Sequence, residues 1–234
     1  MQLGILETGD VYPDMKAVHG GFPDMFERWL TPHLPGWTYR TWRVLDGEFP
    51  SGPEAADAWL ITGSRFGVYD PEPWIEPLKS FIREAAAARV PQIGICFGHQ
   101  IAAEALGGRA IKSPKGWGIG IDRYRIETPD GARDWPMIVS HQDQVVELAP
   151  DATLLGGSEH CPLGVIEYAA PVLTTQFHPE FHPSISAALI RLRAGTAIPE
   201  DQALRALDSL TTSPQNEAAG AWVAGWLTGK LATP

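Results

Sequence analysis

Cysteine is nearly absent from this chain: Cys96 and Cys161 are the two among 234 residues. Two thiols cannot make the framework that staples a small secreted domain, and a bridge between them would consume any reactive sulfur. A reducing, cytoplasmic setting is therefore expected. Long apolar runs are missing as well. No stretch reaches the about 18 consecutive apolar residues that read as a membrane helix, so no membrane partner is expected. The opening MQLGILETGD lacks a basic segment followed by a long apolar one, so no secretory leader is expected. Basic residues are in deficit, with 18 Lys and Arg against 28 Asp and Glu and a net charge of −10. That balance argues against nucleic acid as a partner. An acidic small molecule stays admissible, because a local field can oppose the global sign. No GxxxxGK[ST] run, no pyrophosphatase-like loop and no internal repeat occurs.

What is present reads as one globular domain. Hydrophobic residues make up 44% and charged residues 20%, and the length allows a sizeable core. Leu3, Ile5 and Leu6 predict a strand, and Phe22, Met25, Phe26, Trp29 and Leu30 recur at helical spacing. Strands are expected over 39–45 and 58–62, and a helix over 74–89. This alternation predicts a parallel sheet with helices on both faces. Downstream, 116–126, 137–149, 152–158, 164–168 and 172–177 read as short strands, a mixed or antiparallel extension. Helices return after Pro183, around 185–192, 203–207 and 218–231. The expectation is a three-layer α/β fold with a mostly parallel central sheet and a short antiparallel extension. Residues 1–195 would form the domain, and 196–234 a helical extension packed on it.

The segment VPQIGICFGHQIAAEALGG, 90–108, carries the strongest chemical signal. Val90, Ile93 and Ile95 suit a buried strand, while Ile101, Ala102, Ala105 and Leu106 recur at helical spacing. Between them Gly94, Cys96 and Gly98 form a turn that lets the backbone bend sharply on both sides of the thiol. Unpaired helix N–H groups beside such a sulfur favour the thiolate, which is the nucleophile. A lone cysteine is more often a buried, inert residue. The flanking glycines and the polar pair His99–Gln100 weigh against that here. Cys161, in a Gly- and Pro-flanked loop, reads as non-catalytic.

A cysteine nucleophile needs a base, and the base needs an orienting group. His178 stands at the end of an apolar strand, 172–177, where parallel-sheet proteins place their sites. Glu180 follows two residues later and could fix the imidazole tautomer. His178, Glu180 and His182 could in principle hold a metal, but the Pro-rich turn lacks the helical spacing of zinc motifs, and none is expected.

GICFGHQ and QFHPE, in this order, together resemble the signature pair of the class I glutamine amidotransferases. Within that family they are most similar to stand-alone proteins related to the amidotransferase domain of GMP synthase, over residues 1 to about 190. The resemblance implies a flavodoxin-like fold, with Cys96 as nucleophile, His178 as base and acid, and Glu180 as orienter. It implies oxyanion N–H groups at Gly63, Ser64 and Phe97, in a loop where Arg65 replaces the family's usual proline. It implies substrate contacts from Gln100, Ser140, Gln142 and Asp143, and no cofactor. The expected reaction opens the side-chain amide of glutamine through a γ-glutamyl thioester, releasing ammonia and glutamate. A synthetase using that ammonia would be a separate polypeptide. Two other readings are a γ-glutamyl peptidase and a binding protein on the same fold; the intact Cys96, His178 and Glu180 weigh against the last. Phe66, Tyr69 and Trp117 are expected to shape an entrance wider than free glutamine needs. His19-Gly20-Gly21 resembles an oxyanion motif but has no serine elbow to serve, and is expected to be a loop.

Overall fold

The computed structural model describes residues 1–232. The first half of the chain runs β1 (Gln2–Glu7), α1 (Pro13–His19), α2 (Phe22–Leu30), β2 (Thr38–Arg43), β3 (Ala58–Ile61), α3 (Ile75–Ala87), β4 (Gln92–Ile95) and α4 (Phe97–Ala105). Seven strands follow: β5 (Arg109–Lys112), β6 (Gly118–Thr128), β7 (Gly131–His141), β8 (Asp143–Glu147), β9 (Ala152–Gly157), β10 (Val165–Tyr168) and β11 (Val172–Thr175). The chain then finishes with α5 (Pro183–Arg193), α6 (Glu200–Ser209) and α7 (Asn216–Ala232).

Among the described residues nine strands join in the order β2-β1-β3-β4-β11-β10-β9-β6-β7. Pairing is parallel from β2 to β11 and antiparallel from β11 to β7. The expected α/β architecture is borne out, with an antiparallel arm four strands wide. The sequence predicts one strand over 137–149, and here the structure differs. The segment is divided at Gln142 between β7, the far edge of the large sheet, and β8, which pairs with β5 in a separate two-stranded sheet. That division puts a corner at Ser140, Gln142 and Asp143.

Side-chain alternation explains the layers, since successive strand residues face opposite sides. On β3, Ala58 and Leu60 join a cluster with Leu3, Ile5, Phe26 and Leu30. Trp59 and Ile61 join the opposite cluster with Leu78, Phe81, Ile82 and Phe97. Trp59 anchors that second face, with Trp42 and Phe81 edge-on at 5.0 Å on either side. Residues Ala219, Val223, Ala224 and Leu227 of α7 close the first face beside α2. Helix α1 has no counterpart in the sequence pattern, and none of its residues is buried. With no face to hide, it carries no apolar period.

His99 is completely buried on α4. Its Nε2 donates to the Leu163 carbonyl at 3.0 Å, which leaves Nδ1 to accept from the Thr174 hydroxyl at 2.8 Å. Burial pushes its pKa down to about 3. His141, also buried, is lowered to about 3 by burial and then by neighbouring His160. Both rings stay neutral in the fold over a range where an unfolded chain takes up protons near 6.5. The unfolded state therefore binds more protons between the two values, and stability must fall as pH drops from about 6.5 toward 3, by up to about 1.4 kcal/mol per pH unit for each ring. Urea titrations between pH 4 and 7 check this: His99→Gln should flatten the acid slope by about one proton relative to wild type.

Candidate active site

Cys96 sits between β4 and α4 with φ 55° and ψ −99°, a strained conformation for a residue with a Cβ. The bend belongs to the cysteine itself. The flanking glycines serve a different purpose from the expected flexibility: they allow close backbone approach. A Cβ at Gly94 would meet the Gly98 carbonyl oxygen at 2.5 Å, and one at Gly98 would collide with the Ile61 carbonyl oxygen. The turn is thus wedged against β3, and the Cys96 N–H donates to the Thr175 carbonyl of β11 at 2.8 Å. Phe97 opens α4, so its N–H has no partner inside the helix.

His178 lies just beyond β11 and is 3% exposed. Its N–H donates to the Ile138 carbonyl of β7 at 2.8 Å. Its Nδ1 donates to Glu180 Oε1 at 2.7 Å, and its ring stacks on Phe181 with centroids 4.2 Å apart and planes 9° apart. Phe181 in turn stacks on Phe22 of α2 at 6.1 Å. The Asn216 amide at the start of α7 donates to the Phe181 carbonyl at 2.8 Å. With Nδ1 committed to the carboxylate, Nε2 is left for the thiol, and Cys96 and this ring line the same hollow. Burial disfavours the charged imidazole, but Glu180 and then Cys96 outweigh it and hold the His178 pKa above its ordinary value.

Gly63 and Ser64 follow β3 and flank the same ring. A Cβ at Gly63 would lie 3.0 Å from His178 Cε1 and 3.8 Å from Cys96 Cβ. Hydroxyl groups lace this loop to the end of β1. The Thr8 N–H donates to Thr62 Oγ1 at 3.0 Å, and the Ser64 hydroxyl donates to the Thr8 carbonyl at 2.6 Å. Gly20 and Gly21, by contrast, only link α1 to α2. His182 caps α5, accepting from the Ser184 N–H at 3.2 Å. Cys161 is buried and unbridged, and burial pushes its thiol up to about 12.

Cys96 opens into two adjoining hollows. The larger, about 470 Å³, is polar, and Ser64, Gln100, Ser140, Gln142 and Asp143 all line it. Phe66, Tyr69 and Trp117 form part of its wall, as the sequence suggested. The Gln100 amide is already engaged, donating to the Asp143 carbonyl at 2.9 Å and to Gln176 Oε1 at 3.1 Å. It holds the corner at β8 in place. Tyr69 lines the same hollow as Asp143, and burial raises the pKa of that carboxyl. Three cations, Arg65, Lys112 and Arg193, share the hollow with Asp70 and Asp143. In a chain with a net charge of −10, cations therefore outnumber carboxylates here by three to two. Arg193, at the end of α5, is a site residue that sequence reasoning misses. It donates to Ser140 Oγ at 3.1 Å and lies 5.4 Å from the centre of the Trp117 ring. A single arginine at the end of an amphipathic helix carries no signal of its own. The smaller hollow, about 170 Å³, lies on the His178 side of the thiol between Val11, Phe22, Phe181, Ile185 and Leu189.

Sheet order and site together define a doubly wound α/β protein whose strand-to-helix turn presents a cysteine beside a histidine–glutamate pair. The chain belongs to the glutamine amidotransferase class-I family, whose model matches residues 53–192. Gamma-glutamyl peptidase 4 of Arabidopsis thaliana is 30% identical over 219 residues, covering 87% of this chain and 84% of that protein. A glutamine-hydrolyzing GMP synthase subunit of Thermococcus kodakarensis is 35% identical over 96 residues, covering 39% of this chain and 51% of that protein. The glutamine amido transferase of Methylobacillus flagellatus has the same fold, with a TM-score of 0.76 at 20% identity, covering 99% of this chain and 94% of that one. No helix of the described residues is long and apolar enough to cross a membrane.

The raised His178 pKa has a testable sign. A group held above its unfolded value of about 6.5 adds stability that is complete below that pH and is lost as pH rises toward the folded value. Glu180→Gln keeps an acceptor for Nδ1 but removes the charge, so it should cost about 1–3 kcal/mol near pH 6. The cost should shrink steadily in alkaline buffers. Chemical denaturation of both proteins from pH 6 upward measures it; a pH-independent difference would show that the charge does not act on the ring.

Proposed function

We propose that this chain is a cysteine-dependent amidohydrolase that opens the amide at the γ-carbonyl of a glutamyl group, with glutamine as the simplest substrate. The observation that carries the reading is the convergence of the Cys96 thiol, the His178 ring and Glu180, with Nδ1 and Oε1 2.7 Å apart. In the first step the sulfur, its proton already held on His178 Nε2, attacks the carbonyl carbon. The N–H groups of Gly63, Ser64 and Phe97 receive the oxyanion. The carbon–nitrogen bond breaks, His178 passes its proton to the departing nitrogen, and a γ-glutamyl thioester remains on Cys96. Water then attacks the thioester through the same imidazole, releasing glutamate and restoring the thiol.

The polar hollow suits the amino-acid end of the substrate. Asp143 would meet the α-ammonium, whose charge offsets the cost that burial imposes on that carboxylate. Arg193 and Lys112, on the same wall, would meet the α-carboxylate, with Ser140 and Gln142 completing the contacts. Ammonia donation to a separate synthetase and hydrolysis of a γ-glutamyl peptide share every step up to the identity of the leaving nitrogen. A hollow on the His178 side, where that nitrogen departs, favours the second.

Glutamate release from L-glutamine and from a γ-glutamyl dipeptide tests the assignment. Cys96→Ala should abolish both, and iodoacetamide should inactivate wild type through Cys96 alone. Glutamate release that survives Cys96→Ala would refute the mechanism. Arg193→Gln should raise KM about 10- to 100-fold with a much smaller change in kcat, as expected for a contact made equally in the ground and transition states.

A further inference from the structure

Two hollows meet at the thiol and share Tyr12, Ser64, Arg65, Ser140 and Arg193 in their walls; the smaller adds an apolar set that the larger lacks, and the reaction gives that difference a direction. His178 lines the smaller hollow and is absent from the wall of the larger one, whereas Cys96 lines both. Since the imidazole must hand its proton to the departing nitrogen, that nitrogen leaves on the His178 side. The substituent it carries then enters the smaller hollow, whose walls include the buried side chains Val11, Phe181, Ile185 and Leu189, with Phe22 packed beside them, and the charged residues Asp10, Arg65 and Arg193. Its volume is about 170 Å³. Apolar protein cavities of about 150 Å³ accommodate a benzene molecule. Ammonia would leave such a space unfilled and would find apolar walls around it.

We propose that the preferred substrates are γ-glutamyl amides whose leaving amine bears an aliphatic or aromatic group of about four to eight carbons, seated among Val11, Phe22, Phe181, Ile185 and Leu189. This rests on the γ-glutamyl amide reading above and adds the identity of the amine. The balance is simple: γ-glutamyl–NH–R and water give glutamate and R–NH2. The sulfur–carbon bond forms as the carbon–nitrogen bond breaks, and the thiol proton travels through His178 to the amine. Hydrolysis of the thioester then returns one proton of water to the sulfur. The walls also explain why the stack of Phe22, Phe181 and His178 is built as it is. Phe181 stacks on both Phe22 and the His178 ring, and the same side chain lines the hollow.

The test is a series of kcat/KM values for L-glutamine and for γ-glutamyl methylamide, propylamide, isoamylamide and phenethylamide, measured by glutamate release. Complete burial of an aliphatic group of isoamyl size should raise kcat/KM by about 10- to 100-fold over glutamine, with a rise at each added carbon. Leu189→Gln and Val11→Asn, which put polar groups into the wall, should narrow the ratio of isoamylamide to glutamine; the substrate series on wild type decides the matter even if a variant misfolds. A flat series, or one that falls with carbon number while glutamine is turned over, overturns the proposed amine and leaves the γ-glutamyl reaction standing. Failure to release glutamate from any member overturns both.

Discussion

A buried imidazole paired with a buried carboxylate is the interaction on which the rest of this structure depends. Placing His178 and Glu180 in the interior costs solvation, and the cost is recovered only if the geometry is tight and the ring cannot wander. Each neighbour can be read as meeting that demand. The Ile138 carbonyl fixes the His178 backbone, Phe181 covers one face of the ring, and Phe22 backs Phe181. Asn216 holds the Phe181 carbonyl, while the Trp29 indole donates to the Asn216 carbonyl at 3.0 Å. Segments far apart in the chain therefore converge on one ring. A proton acceptor held this way is already oriented before substrate arrives, so little reorganisation is left for the moment of reaction.

A strongly acidic protein can still gather cations at one place. Charge is partitioned locally: Arg43 is occupied by Glu7, Asp10 and Asp46 on one flank, whereas Arg65, Lys112 and Arg193 are gathered round the polar hollow. Low-dielectric walls make such a field matter more than the net charge does. Cys96 stands where the two hollows meet, which on the proposed reading is where a glutamyl amide changes from a zwitterionic end to whatever its nitrogen carries.

Much of this was legible in the sequence because it depends on local pattern. The strand–turn–helix around Cys96, the strand leading to His178, and the acid two residues on are all short-range features with a mechanical reason. The elements of β1, α2, β3, α3 and α4 fell where their apolar residues placed them: α2 and α3 bury one side against the sheet, and β1 and β3 are short apolar runs buried on both faces. Other features were not readable. His99 looked like part of a polar helix start, yet it is a buried tie between α4, β11 and the Leu163 loop. Only three-dimensional contact distinguishes those roles. The division of 137–149 at Gln142 depends on β8 finding β5, two long strands upstream in the chain, and no periodicity encodes such a partnership. Phe181 reads as an ordinary aromatic in a Pro-flanked turn until the ring beside it is known.

Where the family pattern ends is informative in its own right. The matched segment, 53–192, contains Cys96, His178 and Glu180, together with the loop at Gly63. Val11, Tyr12 and Phe22 stand before it and Arg193 just after it, yet all four face the two hollows. The helices beyond Arg193 reach inward as well. Gln202 on α6 donates to the Trp117 carbonyl at 2.7 Å, Ser209 accepts from the Ile121 N–H at 2.9 Å, and Asn216 braces Phe181. Cys96, His178 and Glu180 thus lie inside the matched segment, and part of the lining of both hollows comes from outside it. Reaction type can be inherited with the sheet, while on the proposed reading the group carried by the amide meets the loop after β1, helix α2 and the end of α5. That separation is why a common triad does not by itself name a substrate, and why the side chains around it must be read one at a time.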